Sequence, residues 1–533
     1  MKSWLDSLNI NKKIFIPAAT FMLVFVIYGV LNPTSFAHTT SEVMMWCGAH
    51  FTGVALLVAV MIFAAVVWMA VSPFGNTIIG GPDAKKQYTD FEWITMIICG
   101  NIGIAMMFYA VVEPIGYFYN PPAFWVTAAE SDTAAEMAIA QTTFHWGGIT
   151  WCANMLIGFV SIFLCTNYGL PFRPSTSLYP ILKGRVFGPL GTIYDAFCLC
   201  GIIGAITTGF GLGVMQFATG LSYTTGIELN NLLYTMIIIA TTIVLIFSAR
   251  RGFKKGLAIF SAANTWMYVA ILLFLFFIGP KVKLIELAVG SLGQLIHNFV
   301  PMAFNGDFLG EGNGWNVNNT GFTWFWFYVY SPFTGMYLTK ISKGRKIRTF
   351  LGATIIIPTL GLLVWFVLWG GNAIYMSHFL NYNIMGVINE WGAPVANFVV
   401  LDYLPLKVVF IPLVLVCTMI GFITLVDGLS NVIAGMCVKK VKDMETSPVV
   451  RAFWCVILGA TTLVCLFALH EVGMNSLKCL TVTLAVPLIF TAAAIVVGVF
   501  MLCNGKVTAY LETSEGRADI ERAKAYVDNS IEL

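Results

Sequence analysis

Residues 323–335 read TWFWFYVYSPFTG. Six of the first eight residues are aromatic, and a Ser-Pro pair and a glycine follow them. A segment so rich in rings predicts a buried helix. Proline, however, removes a backbone donor and clashes with the preceding turn. At membrane depth, unsatisfied backbone is tolerated only where it lines a cavity or is buried in protein. Two questions follow: what solvent surrounds this stretch, and what its interruption serves.

Composition answers the first. The chain has 533 residues, 58% hydrophobic and 10% charged, with a mean hydropathy of +0.82. Soluble domains carry about 25% charged residues, so lipid must solvate much of this surface. A net charge of +3 is too small to imply a nucleic-acid partner. Most of the 12 cysteines sit singly in apolar runs, as at Cys152, Cys165, Cys417, Cys455 and Cys465. Such thiols behave as small hydrophobes. The six histidines are scattered without paired spacing, which argues against a membrane enzyme.

A bilayer span needs about 20 apolar residues. Twelve runs qualify: 14–31, 51–72, 93–118, 143–168, 191–222, 232–249, 256–279, 322–340, 349–373, 405–437, 450–470 and 478–503. The polar start is short and reads as leading into a first span rather than as a cleaved signal peptide. With the N-terminus inside, 25 of the 29 Lys and Arg fall in inside segments. The exceptions are Lys281, Lys283, Lys407 and Lys478. That bias follows the positive-inside rule and predicts both termini cytoplasmic in a multi-pass protein of the inner (plasma) membrane. Residues 283–300 and 380–400 have the spacing of interfacial helices, and the tail 504–533 reads as a short solvated helix.

The third span carries GNIGIAMMFYAVVEP (100–114) and the eighth carries the Ser-Pro break. They lie five spans apart, so spans 3–7 and 8–12 form two halves of opposite orientation. Inverted repeats with broken first helices place a transporter's binding site at the breaks. The expected organisation has a tail (1–13), two peripheral helices (14–92) and a first five-helix repeat (93–279). An outer loop with an interfacial helix (280–321), a second repeat (322–503) and a cytoplasmic tail (504–533) follow. A channel fits this pattern less well than alternating access does.

The fourth span contains FHWGGITWCAN (144–154). On a continuous helix, Trp146 and Trp151 lie some 140° apart, lining two walls of one pathway. With Trp324, Trp326, Phe327, Tyr328 and Tyr330 they supply ring faces for a cage. Such a cage suits a quaternary ammonium ion, held by ring quadrupoles without a buried carboxylate. An amino-acid symporter of similar fold would instead offer carbonyls and hydroxyls to a primary ammonium.

FHWGGITW, WFWFYVYSPFTGMYLTKISKGRKIRTF and GNIGIAMMFYAVVEP resemble the signature segments of the betaine/carnitine/choline transporter family, and the resemblance covers nearly the whole chain. It implies an all-α membrane protein of twelve transmembrane helices with LeuT-like inverted five-helix repeats behind two extra N-terminal helices. It further implies alternating-access import of a small quaternary ammonium substrate, contacts with membrane lipid, and a homotrimer. By position, the family's aromatic box falls on Trp146, Trp151, Asn154 and Phe327, with Tyr330 one turn on. Betaine carriers have Tyr at the place of Asn154 and Trp at those of Phe327 and Tyr330, which implies a bulkier or differently shaped betaine. Phe327 and Tyr330 are the aromatics expected to carry recognition, with Trp324 and Trp326 mostly packing. The glycine-rich motif reads Asn101-Ile102-Gly103-Ile104-Ala105, whose N–H groups would face a substrate carboxylate.

No cofactor is implied beyond Na+ as a coupling ion. Its candidate ligands are Thr424, which the resemblance places at a family hydroxyl position, Thr208, whose hydroxyl suits a small cation, and Ile102 and Phe333, with Leu425 standing where sodium-coupled members usually have Ser. A sodium-independent exchanger is the alternative. Intramembrane carboxylates are functional candidates by default, which singles out Glu113 and Asp427 as gating or structural groups beside Pro332. Asp195 reads as reaching water, and His145 as a satisfied histidine. Short tails imply nutrient uptake rather than osmotic sensing.

Overall fold

The structure is a computed structural model that describes residues 10–99, 104–251, 254–312, 314–438, 447–467 and 471–527. Among these it is helical, with only two isolated β-bridges, Ile10–Val438 and Ile78–Lys346. The long helices are α1 (Lys12–Leu31), α2 (Pro33–Val71), α3 (Asp90–Cys99), α4 (Ile104–Tyr119), α5 (Asp132–Trp146), α6 (Gly148–Tyr168), α7 (Pro189–Thr225) and α8 (Asn231–Arg251). They continue with α9 (Lys254–Ile278), α10 (Lys281–His297), α11 (Phe322–Ile341), α12 (Ile347–Phe379), α13 (Lys407–Met436), α14 (Pro448–Phe467), α15 (Glu471–Cys503) and α16 (Ser514–Val527).

Local chemistry marks several ends. Pro33 and Pro189 open α2 and α7, where the missing N–H would have no helical partner anyway. Gly169 and Gly226 close α6 and α7 in the left-handed conformation, their N–H groups returning to Cys165 O and Ser222 O. Ser131 caps α5 by accepting from the Ala134 N–H.

Among the described residues nine helices are long and apolar enough to cross a membrane, or ten if a bent pair counts as one. The chain is therefore an all-helical, multi-pass membrane protein. Three of the twelve apolar runs fall outside the nine for separate reasons. α3 and α4 flank residues 100–103, which lie outside the described residues. α9 bends by 110° into α10, the amphipathic helix expected near 283–300. α11 has 20 residues, about 30 Å of helix, but its Trp and Tyr content makes it less apolar than its neighbours.

The centre of the bundle is more deeply buried than its rim. α6 is buried from Ile149 to Leu164, whereas α1 leaves Val24, Ile27, Val30 and Leu31 exposed, as lipid-facing positions require. α6 packs on α11, α4 on α12, α7 on α13 and α15, α9 on α13, and α8 on α14.

Two expectations change. Trp146 and Trp151 do not share a continuous helix. α5 ends at Gly147, which is extended (φ −108°, ψ −159°), and Gly148 has φ +21°. The Gly148 N–H donates to Thr359 Oγ1 at 2.8 Å, so the 140° relation does not apply. Pro332, conversely, does not break its helix: α11 runs through it to Ile341. Its neighbourhood explains the tolerance. α6 and α11 meet backbone to backbone at Gly158 and Gly335, where a Cβ on Gly335 would run into the Met155 carbonyl. Ser331 Oγ accepts from the Ile157 N–H at 3.2 Å. The Ser-Pro pair thus serves a helix crossing, and the irregular turn comes earlier, as a π-helical segment at Val317–Gly321.

Candidate functional site

The ring cluster forms where α5 ends against α11. Trp146 meets Trp326 edge to face at 6.2 Å between centroids and Phe327 at 5.8 Å. Tyr109 of α4 lies 5.3 Å from Trp146 on another side. Along α11, Trp326 is flanked by Phe322 at 5.3 Å and Tyr330 at 6.4 Å, one turn away in each direction. The Trp326 Nε1–H and the Tyr330 hydroxyl both donate to Ala205 O of α7, each at 3.3 Å. Trp146 Nε1 donates to Glu113 Oε2 at 3.1 Å, fixing the indole edge-on to its neighbours.

α7 comes close to the cluster at Gly209. A Cβ on Gly209 of α7 would sit 3.1 Å from Leu425 Cδ2, 3.7 Å from the Tyr330 hydroxyl and 3.9 Å from Trp326 Cζ2. α7, α11 and α13 therefore converge here, and the missing side chain permits their close approach. The first eight residues of α11 are buried except Phe327. Phe327, Tyr330, Thr334 and Tyr337 retain access at helical spacing, a single accessible stripe leading from the rings along the helix.

The other expected residues divide. Trp151 and Asn154 are buried one turn apart on α6, and neither Trp151 Nε1 nor Asn154 Oδ1 has a protein partner. Trp151 makes no ring contact with the cluster. Trp324 faces away and packs edge-on to Phe144 at 5.7 Å. Trp326 is buried and packs against Trp146, Phe322 and Tyr330. Asn101, Ile102 and Gly103 lie outside the described residues.

Of the cation ligands, Thr424 Oγ1 donates within its own helix to Ile420 O and Gly421 O. Thr208 Oγ1 lies 2.7 Å from Leu477 O and 2.9 Å from Thr481 Oγ1, tying α7 to α15. Phe333 is buried, with no ring partner among the described residues. Asp427 forms an ion pair with Arg451 of α14, whose Nε donates to Ser430 Oγ at 3.2 Å. Asp195 does not reach water as expected: it is buried, accepting from the Ser175 N–H at 2.8 Å, with Arg173 at 3.5 Å.

Behind Trp146 lies a polar network spread over several segments. His145 is fully buried, its Nε2 2.9 Å from Thr320 Oγ1 and 3.0 Å from Gln141 Nε2, and its Nδ1 3.8 Å from Glu113 Oε2. The Tyr117 hydroxyl donates to Asn319 Oδ1 at 3.1 Å. Phe322, Tyr109, Ala205 and Gly209 were missing from the sequence-based set. The i, i+4, i+8 spacing of Phe322, Trp326 and Tyr330 is the one signal that would have found the first.

A family model for betaine/carnitine/choline family transporters matches residues 13–506. The chain belongs to the betaine/carnitine/choline transporter family. It is 28% identical over 480 residues to a probable glycine betaine transporter of Desulfitobacterium hafniense, covering 90% of this chain and 94% of that protein. It is equally identical to a glycine betaine transporter of Acinetobacter baylyi over 97% of this chain and 76% of that one. Against the high-affinity choline transport protein of Escherichia coli the identity is again 28%, over 96% and 74%. The family member described here is thus a transporter, not an enzyme, and the ring cluster lies within the matched region.

Proposed function

We propose that this transporter imports a quaternary ammonium compound of betaine type, such as glycine betaine, proline betaine, carnitine or a choline-like cation, by alternating access across the inner membrane. The observation that carries the reading is the edge-to-face set of Trp146, Trp326 and Phe327, of which Phe327 is only partly buried. A methylated cation has no N–H to donate and is held by ring faces, worth about 2 kcal/mol or more when desolvated. The Glu113 carboxylate behind the rings already accepts from Trp146. The names of the glycine betaine and choline relatives point to the same substrate chemistry.

Helix pairing supports the inverted-repeat, LeuT-like reading. Shifting each partner by five spans maps the α6–α11 pair onto α12–α4 and the α7–α15 pair onto α13–α9. The α7–α13 and α8–α14 pairs map onto themselves. Cytoplasmic termini and a homotrimer belong to the same proposal. So does sodium coupling: the Thr424 and Thr208 hydroxyls use their protons on carbonyls and keep lone pairs for a cation. Leu425 beside the rings favours the second reading, sodium-independent exchange, because it offers no oxygen.

Uptake of labelled glycine betaine, carnitine and choline into proteoliposomes, with and without an inward sodium gradient, tests all of this. Transport of none of them rejects the substrate class. Gradient-independent counterflow rejects symport and leaves exchange.

A further inference from the structure

We propose that the buried pair of His145 and Glu113 is a proton site that competes with the substrate cation: docking of a quaternary ammonium ion at Trp146 releases a proton from His145, and a proton taken up there weakens docking. This rests on the quaternary ammonium reading and deepens it to what regulates affinity at that same site.

The surroundings of His145 suit the ring with and without its second proton. His145 is fully buried in the last turn of α5, and Glu113 of α4 is buried beside it. The Tyr117 hydroxyl donates its proton to Asn319 Oδ1 at 3.1 Å and lies 3.4 Å from His145 Nδ1. It is therefore left to accept from that nitrogen, which makes the neutral ring the Nδ1–H tautomer. Nε2 is then an acceptor, with the Gln141 amide nitrogen at 3.0 Å and Thr320 Oγ1 at 2.9 Å as its donors. Protonation turns Nε2 into a donor. Thr320 Oγ1 can accept from it, and so can Gln141 Oε1 after a half-turn of the amide. That oxygen is buried and has no hydrogen-bond partner among the described residues. Both states of the ring are thus satisfied, and the unpartnered oxygen has a use.

Glu113 links this proton to the rings through a single oxygen. Its Oε2 accepts from the Trp146 Nε1–H at 3.1 Å and lies 3.8 Å from His145 Nδ1. With His145 neutral, the carboxylate holds the indole, and its charge favours a cation on the ring. With His145 protonated, the two charges cancel. A charge-assisted bond of about 2.8 Å also draws Oε2 about 1 Å towards Nδ1, which loosens Trp146. Other titratable groups face α4 and α5 without entering the pair. Tyr109 of α4 packs 5.3 Å from Trp146. Lys478 of α15 feels the Glu113 charge but rests 4.3 Å from the centroid of Phe322. α10 meets α5 where Gln294 donates to Glu136, more than two turns before His145, and its His297 is exposed. α12 brings His378 to Phe118, 6.1 Å between rings, a turn beyond Glu113. Thr320 belongs to the π-helical segment Val317–Gly321, where Asn318 is exposed, so the Nε2 proton has a short route to water.

The test uses the full chain purified in detergent at constant sodium concentration, with tryptophan fluorescence titrated by choline and by glycine betaine, whose ammonium charge is permanent. As pH falls from about 8 to about 5.5, across histidine's ordinary range, Kd rises about tenfold, the effect of a coupling worth one pKa unit. In weakly buffered solution at about pH 6.5, saturating choline releases up to one proton per protein, read with an indicator dye, as reciprocal linkage requires. His145→Gln, a neutral hydrogen-bonding side chain, removes both the slope and the release and keeps Kd near the unmodified protein's high-pH value. Glu113→Gln binds more weakly at high pH and also loses the slope. Should His145→Gln not fold, Glu113→Gln and the dye measurement on the unmodified protein decide. Binding that is equal at both pH values without proton release overturns the inference and leaves the substrate reading standing. A slope that survives in His145→Gln overturns the role of His145. If the unmodified protein binds neither ligand, the substrate reading fails and the inference with it.

Discussion

The two faces of α11 carry similar rings and do opposite things. On one face, Phe322, Trp326 and Tyr330 repeat at every fourth residue; Trp326 meets Trp146, and Trp326 and Tyr330 donate to Ala205 O. On the other, Trp324 is sealed against Phe144 and Tyr328 is fully buried, its hydroxyl donating to Ala55 O of α2 at 2.9 Å. An aromatic residue is available to a site where its neighbours leave part of it accessible, as at Phe327 and Tyr330. Where neighbours close in, the same residue is packing.

Substitutions divide along the same line. Trp324→Ala has the largest effect: about 3–5 kcal/mol of stability is lost with the buried indole, read as a lower unfolding temperature, while substrate affinity of the folded fraction is unchanged. Weakened binding there would break the comparison. Trp326→Ala removes a ring face from the site and costs about 2 kcal/mol of binding, roughly 30-fold in Kd; unchanged Kd would place the substrate elsewhere. Glu113→Gln keeps the side chain's shape but replaces the charged acceptor of Trp146 with a neutral one. About 1.5 kcal/mol, or tenfold in affinity, should follow, measured by the same titration. Tyr328→Phe deletes the bond to Ala55 O and should lower stability by about 1 kcal/mol without touching Kd. Tyr330→Phe, the smallest change, keeps the ring and should move Kd by less than about threefold.

Much of the fold was legible because lipid imposes its own arithmetic. Runs of apolar residues long enough to span had to be helices, and 14–31, 191–222 and 349–373 lie within α1, α7 and α12. The signature segments carried the family. Much of the site's internal geometry was not legible. A helical wheel treated 144–154 as one helix, yet the pair Gly147-Gly148 ends α5 because Thr359, more than 200 residues away, takes the Gly148 N–H. Proline suggested a break at 332, and the close approach of α6 through Gly158 and Gly335 removed the need for one. Trp324 and Trp326 look alike in sequence and differ only in what surrounds them.

The sequence by itself determined that this chain is a helical membrane transporter and to which family it belongs, because hydrophobic run length and short motifs are local properties. Only the tertiary structure decided which rings face one another, that Thr208 is held by α15, and that Lys478 rests on Phe322. Those facts depend on pairs such as Lys478 and Phe322, or Trp326 and Ala205, brought together across more than 100 residues of chain. No periodicity encodes them, since packing among helices fixes them after each helix has formed.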